Sequence, residues 1–439
     1  MLQTLKNSWR IPELRSKLLF TLFIILIYRL GATIPVPFVS SDVAEAFATA
    51  YGNTVLGFMS VLSGGALAQA TLFVLSVSPY ITASIVMQLL TIAIPPLERM
   101  AKDEDGKKKI TVITRYVTVA LALVTAYGYT MLLSANGMLS ASAGQHPIFS
   151  KVVMIACYCA GASLIMWLAE KINEHGIGNG ISMILFANIL SGLPGAVLQL
   201  WNWIMPAEGF SVAGLVLAII VAVVTLGLLI LSVWFTNSER KIPIQYAKRV
   251  VGRKMYGGQG TSLPLKMNMA GVMPIIFASS IITIPATIVS LIPNVDTTSG
   301  VAWFITTFLS PNNSVTSWPY IILYLVLLVA FSYFYIMISF NPVEVSNNIR
   351  NNGGAIPGIR PGRPTSDFIK KVLNRVTLIG AFFLAIIAGL PMVAGLFDAR
   401  LAAVSFGGSS LLIVVGVALE TVRDLEAQIT MRNYKGFLD

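Results

Sequence analysis

The side chains able to make or break covalent bonds are few in this 439-residue sequence, and their spacing keeps them apart. The only histidines, His146 and His175, flank a long apolar stretch and cannot share one site. An intramembrane hydrolase would need a serine or cysteine nucleophile beside a base, and no such pair is found. The two cysteines, Cys157 and Cys159, stand two positions apart on a predicted helix, point in different directions and cannot easily bridge. They read as apolar filler. No HExxH, GxSxG, Walker or CxxC pattern occurs. The sequence therefore predicts no enzyme, no metal and no cofactor. It equally disfavours an ion-coupled transporter of small solutes, which usually carries Asp or Glu near the bilayer midplane. Apart from Arg115 in the first turn of the third span, the apolar spans offer only Arg29 and Glu420, both near span ends, where snorkelling toward water is expected. The chemistry that remains is physical: an aliphatic constriction passes no ions because it dewets.

Those residues hang on a membrane scaffold. Hydrophobic residues make up 56% of the chain and charged residues 11%, against about 45–50% and about 25% in soluble domains. Ten apolar spans are legible, at about Leu18–Ile34, Leu72–Ile94, Ile110–Leu133, Val152–Ala169, Ile181–Leu200, Val212–Phe235, Ala270–Ile292, Pro319–Phe340, Val376–Leu396 and Leu401–Val422. Such spans cross a hydrocarbon core of about 30 Å as helices, and their continuous apolar runs exclude a barrel. Leu18–Ile34 is too long for a typical secretion-signal core and is followed by no small-residue cleavage site.

Basic residues fill every second gap. All 30 Lys and Arg except Arg29, Lys151 and Arg400 lie in the N-terminal segment, in alternate gaps with the first turn of the third span, or in the tail. The positive-inside rule then puts both termini and the large basic loops in the cytoplasm. The net charge of +11 is a loop property. It suits anionic headgroups or, equally, ribosomal RNA or an acidic protein face.

Ten spans divide into five and five, at residues 1–205 and 206–439, with a hinge around Gly192–Gly209. An odd number per half inserts the second half upside down relative to the first, an inverted-repeat architecture. The first outside gap, Pro35–Thr71, has no Lys or Arg and is rich in small residues. Pro79 should break any helix there, so a short half-helix is expected before the second span, either enclosed by protein or lying on the outer surface. Asn179 is a fair helix cap for the fifth span. Asn347–Arg363 reads as a loop, stiffened by Pro357 and Pro361.

Several stretches in order resemble one family. Gly64-Gly65-Ala66-Leu67 precedes Pro79-Tyr80-Ile81-Thr82-Ala83-Ser84-Ile85, followed by Gly176-Ile177-Gly178-Asn179-Gly180-Ile181-Ser182. Leu263-Pro264-Leu265-Lys266 leads to Asn268-Met269-Ala270-Gly271-Val272-Met273-Pro274, then Gly358-Ile359-Arg360-Pro361-Gly362 and Gly407-Gly408-Ser409-Ser410-Leu411-Leu412-Ile413. The set resembles the bacterial SecY family, central subunits of the Sec protein-conducting channel, across essentially the whole chain. The resemblance implies an all-α membrane protein of ten transmembrane helices, in two pseudo-symmetric inverted five-helix halves around an hourglass pore. Its role would be to pass unfolded secretory polypeptides across the cytoplasmic membrane and release hydrophobic segments sideways into lipid.

By motif matching, the pore ring would be Ile81, Ile85, Leu185, Ile189, Ile276 and Ile413, with Leu185 departing from the family's isoleucine. In the pairs Ile81/Ile85 and Leu185/Ile189, residues four apart share a helix face. The plug would be about Phe58–Leu72, including Gly64, Gly65, Ala66 and Leu67. Gln88, Thr91 and Thr283 are lateral-gate candidates. The loops Arg240–Lys266 and Asn347–Lys371 would dock the ribosome or the motor ATPase SecA, through Arg253 and Lys254 in the first and Arg360 in the second. SecE-like and SecG-like small membrane subunits, signal peptides, nascent chains and lipid are the further implied partners.

Overall fold

The computed structural model describes residues 9, 11–51, 56, 59–60, 63–206, 210–246, 249–251, 254–256, 260–292, 300–309, 318–397 and 407–435. Phe58 and Arg253 lie outside these ranges, as do 401–406 at the start of the tenth predicted span. In chain order the helices are α1 (Pro12–Gly31), α2 (Val43–Tyr51), α3 (Ser78–Ala93), α4 (Pro95–Lys102), α5 (Glu104–Ala135), α6 (Ala141–Gln145), α7 (Pro147–His175), α8 (Gly180–Ile204) and α9 (Val212–Asn237). Then come strands β1 (Glu239–Tyr246), β2 (Arg249–Val251), β3 (Lys254–Tyr256) and β4 (Gly260–Lys266). Helices α10 (Met273–Leu291), α11 (Gly300–Phe308), α12 (Trp318–Ser339) and α13 (Pro342–Asn351), strand β5 (Gly354–Ala355), α14 (Arg363–Phe397) and α15 (Gly407–Lys435) complete the chain.

Each of the ten apolar segments contains a helix. Six are long and apolar enough to cross a membrane on length and composition: α5, α7, α8, α9, α12 continued by α13, and α14. Helices α3 and α4 make a seventh if taken as one broken span, bent by 109°. Their start signals are local. Proline occupies the first turn of α1, α3, α4, α7 and α13, where its missing N–H costs nothing. Asn179 caps α8, its side-chain oxygen accepting from Ile181 N at 3.1 Å and Ser182 N at 3.4 Å, as its position predicts.

Three local expectations change. The hinge does not begin at Gly192, because α8 runs through Pro194 to Ile204. The start of α9 lies so close to the end of α8 that a side chain at Gly214 would collide with the Trp203 carbonyl. The half-helix expected before Pro79 does not reach it: Leu56, Met59 and Ser60 are helical, and hydrogen-bonded turns follow from Ser63 to Val77. Gly64, Gly65, Ala70 and Ser76 take positive φ there, which no regular helix accommodates. The basic loops are built structure. Strand β1 pairs antiparallel with β4 and with β5, giving a sheet of order β4-β1-β5. The β5 residues come from the Asn347–Arg363 segment, whose start is helical as α13 rather than loop. Alternating inward positions Ile242 and Ile244 on β1 join Leu265, Ile349, Ile356 and Ile369 in one buried cluster, the period-2 pattern of a half-buried strand.

The helices pack in series: α3 on α5, α5 on α7, α7 on α8, α8 on α9 and α15, α10 on α12, α12 on α14, and α14 on α15. Helix α10 also lies against α3 and α5. One end of the bundle gathers the segments predicted to be basic and cytoplasmic. There Ile177 N donates to Thr21 Oγ1 (3.1 Å), Gly178 N to Asp424 Oδ2 (3.2 Å), Lys17 Nζ to Gln428 Oε1 (3.3 Å) and Arg423 Nη2 to Thr236 O (2.6 Å). These bonds tie together α1, the α7–α8 turn, α9 and α15. Elsewhere, Ser40 N donates to Met138 O at 3.1 Å and Leu72 N to Ile34 O at 2.9 Å, linking the Pro35–Thr71 gap to the α5–α6 turn and the end of α1.

Candidate functional site

The six predicted ring residues come from α3, α8, α10 and α15, and all six fall in one buried apolar cluster. Their exposures run from 2% at Ile85 to 9% at Ile189. They do not point to lipid. Lipid-facing positions on the same bundle look different: Leu22 is 62% exposed and Ile230 66%. Ala66, in the turn segment, belongs to the same cluster as the ring residues. Among the described residues no Asp, Glu, Lys, Arg or His is fully buried, and the buried polar side chains are Ser, Thr and Asn.

The segment Ser63–Val77, with Met59 and Ser60 just before it, packs Ala66, Phe73 and Val77 into this cluster and Leu67, Ala70, Val74 and Leu75 into a second one, and is pinned by groups that motif reasoning did not single out. Tyr129 on α5, 1% exposed, donates from its hydroxyl to Leu67 O at 2.6 Å. Thr287 on α10 donates to Met59 Sδ at 3.3 Å. Within the segment, Ser63 Oγ accepts from Leu67 N and Ser60 Oγ from Ala68 N, at 3.1 and 3.2 Å. The third predicted span holds three tyrosines, of which Tyr116 and Tyr127 are exposed and Tyr129 is buried, and a buried hydroxyl must find a partner.

Arg29 departs from expectation. Rather than snorkelling, it turns its Nη1 into the protein, where that atom is buried with no hydrogen-bond partner among the described residues. A Cβ on Gly64 would lie 2.7 Å from it. Glu420 is exposed at the bonded end of the bundle, as snorkelling requires. It lines a cavity of about 450 Å³ together with Asn179, Lys266, Asn268, Arg423 and Asp424. Burial pushes the Lys266 amine below its ordinary value, and the Arg423 guanidinium adds to the shift.

The gate candidates stand on packed helices but bond within their own. Gln88 Nε2 donates to Ser84 Oγ (3.2 Å), Thr91 Oγ1 to Gln88 O (2.7 Å) and Thr283 Oγ1 to Ser279 O (2.8 Å). Arg360 is exposed in the turn between β5 and α14, its carbonyl accepting from Thr365 Oγ1 at 2.8 Å. Lys254 lies on the short strand β3. The histidines stand at opposite ends of α7, His146 just before its first residue and His175 at its last. A rise of 1.5 Å per residue separates them by about 40 Å. The cysteines are free.

A multi-pass helical bundle around an aliphatic centre, with a turn segment seated on it, defines a membrane protein of the channel class. The SecY family profile matches residues 71–422. The protein translocase subunit SecY of Streptomyces coelicolor is 45% identical over 447 residues, covering 100% of both chains. A solved structure described as that of a protein-conducting channel superposes with a TM-score of 0.64 at 18% identity, covering 94% of this chain and 92% of that one. Sec61 in a canine ribosome-channel complex from the endoplasmic reticulum gives 0.59 at 17% identity, covering 94% and 92%. The chain belongs to the SecY family. It is a subunit of a protein translocation channel and not an enzyme.

Proposed function

We propose that the chain is the pore-forming subunit through which unfolded secretory polypeptides cross the cytoplasmic membrane, with hydrophobic segments released laterally into lipid. The observation carrying this reading is the single buried cluster that unites Ile81, Ile85, Leu185, Ile189, Ile276 and Ile413 with Ala66. Bulky aliphatic side chains close on a moving chain without bonding it, and a dewetted waist stops ions. Around this waist the ten helices form two inverted halves, residues 1–205 and 206–439, with both termini cytoplasmic. The gathering of α1, the α7–α8 turn, α9 and α15 at one end supports that orientation.

The segment about 58–72 is the plug. It is built of small residues, with Leu67 the one large buried side chain among its described residues, beside Ala66 and Ala70, and one hydrogen bond from Tyr129, so it leaves its seat at modest cost. The lateral gate opens between the α3/α5 and α10/α12 pairs, past Gln88, Thr91 and Thr283. A segment of about 20 apolar residues leaves there by partitioning, with no covalent step. Arg360, in the turn after β5, and Lys254, on β3, face the ribosome or SecA, which supplies the energy from ATP, with Arg253 as the further docking residue of the first loop. Arginine suits this task because its planar fork pairs with phosphate or carboxylate. SecE-like and SecG-like subunits complete the assembly. Reconstitution with these partners tests the reading: the complex should move a signal-bearing polypeptide into vesicles, and a complex that assembles yet moves none would refute it.

A further inference from the structure

The turn segment over the waist is held in a costly state. Three polar side chains converge on Gly64: a Cβ there would lie 2.7 Å from Arg29 Nη1, 2.8 Å from Ser191 Oγ and 3.2 Å from Asn188 Oδ1. Arg29 Nη1 is buried without a hydrogen-bond partner among the described residues, and the buried Asn188 side chain stands beside the Tyr28 hydroxyl. Asn188 is wholly buried, and its Nδ2 donates to Ser76 Oγ at 3.3 Å. Ser191 Oγ is used elsewhere, donating to Asn188 O at 2.6 Å. A buried, unpaired donor on a cation carries an unrelieved desolvation penalty. The backbone adds to this. Ala70 and Ser76 both have φ of 48°, in the left-handed region that non-glycine residues avoid. Gly64 and Gly65 take positive φ without that strain.

Departure of the segment would admit water to Arg29 and Asn188 and release the backbone at Ala70 and Ser76. We propose that Arg29, seconded by Asn188, is a positioning residue that loads the Gly64–Gly65 turn for release. The seated turn keeps both groups dry, and leaving pairs them with water. The opposing terms are the Tyr129 bond and the burial of Ala66 and Leu67. The two sets together poise the segment close to balance. The inference rests on the plug reading above.

The test uses the intact channel complex in vesicles, carrying Cys157→Ser, Cys159→Ser and Ala66→Cys. Ala66 is 1% exposed, so a membrane-impermeant maleimide labels the new thiol only when the segment lifts, and the labelling rate reads the lifted population. Arg29→Met should slow labelling by about five- to tenfold, the equivalent of one relieved buried polar group. Arg29→Lys, which keeps the charge, should return the rate toward that of the parent. Should the Met variant fail to assemble, Arg29→Gln should slow labelling in the same direction. Unchanged or faster labelling in the neutral variants would overturn the inference and make Arg29 a latch or a bystander. The plug reading is judged separately: a translocating polypeptide should accelerate labelling of the parent, and no acceleration sinks that reading whatever Arg29 does.

Discussion

The waist and the charged end of the bundle are built from different interactions. Ile81, Ile85, Leu185, Ile189, Ile276 and Ile413 bring only aliphatic groups to their cluster, and apolar burial has no direction. Lys266, Glu420, Arg423 and Asp424 instead surround a cavity of about 450 Å³, held by bonds such as Arg423 Nη2 to Thr236 O at 2.6 Å. Bonds of that kind are directional and fail at small displacements. A seal that must fit any passing sequence gains from the first kind of contact. A surface that must recognise particular partners gains from the second. For the proposed waist, leucine at 185 among isoleucines is then a minor change, since swaps that conserve volume cost little.

The largest expected effect attacks the waist. Combined Ile81→Ser, Ile85→Ser and Ile276→Ser should raise ion conductance of a reconstituted bilayer by roughly tenfold or more, because a polar constriction wets. Unchanged conductance would remove the seal from this site. At the opposite region, Arg360→Glu should slow SecA-driven export by about tenfold, the loss expected for a charged hydrogen bond, while insertion of the chain itself is unaffected. Normal export kinetics would detach recognition from that turn. Between the two regions, Tyr129→Phe takes the Tyr129 hydroxyl from the Leu67 carbonyl and leaves it only the long bond from Ala70 N at 3.4 Å. It should lift the turn segment about fivefold more often by thiol labelling at position 66, and an unaltered rate would show that this bond does not hold the seat. The smallest effect belongs to Thr283→Val. Its hydroxyl bonds within α10, so stability in detergent should fall by less than about 1 kcal/mol, and a larger loss would mean that it bridges helices.

How much of this was legible in the sequence follows the same division. Long apolar runs and alternating basic gaps located a helix in each predicted segment, because in lipid every backbone group is bonded within its own helix. The Asn179 cap was legible because it acts on residues two and three positions on. The sheet was not. The β1 and β4 segments are interrupted by Pro243 and Pro264, which count against strands in isolation. Strand β5 exists only because distant Gln245 and Tyr246 pair with it. The Arg29 environment was hidden for the same reason: a position near a span end says "snorkel", and only the distant Gly64 turn and Asn188 show that Nη1 faces inward. The proposed ring rests on motif likeness, since a single isoleucine in an apolar helix carries no local mark of facing a pore rather than a neighbour, and what the structure shows of the six is their shared burial.

The account turns on the path of the moving chain. A polypeptide halted partway through the channel, carrying one cysteine in its spanning portion, should form disulfides with cysteines placed singly at positions 81, 85, 185, 189, 276 and 413. It should form none with cysteines at lipid-facing Leu22 or Ile230, which are 62% and 66% exposed. Cross-links at those outer positions, with none among the six, would contradict it.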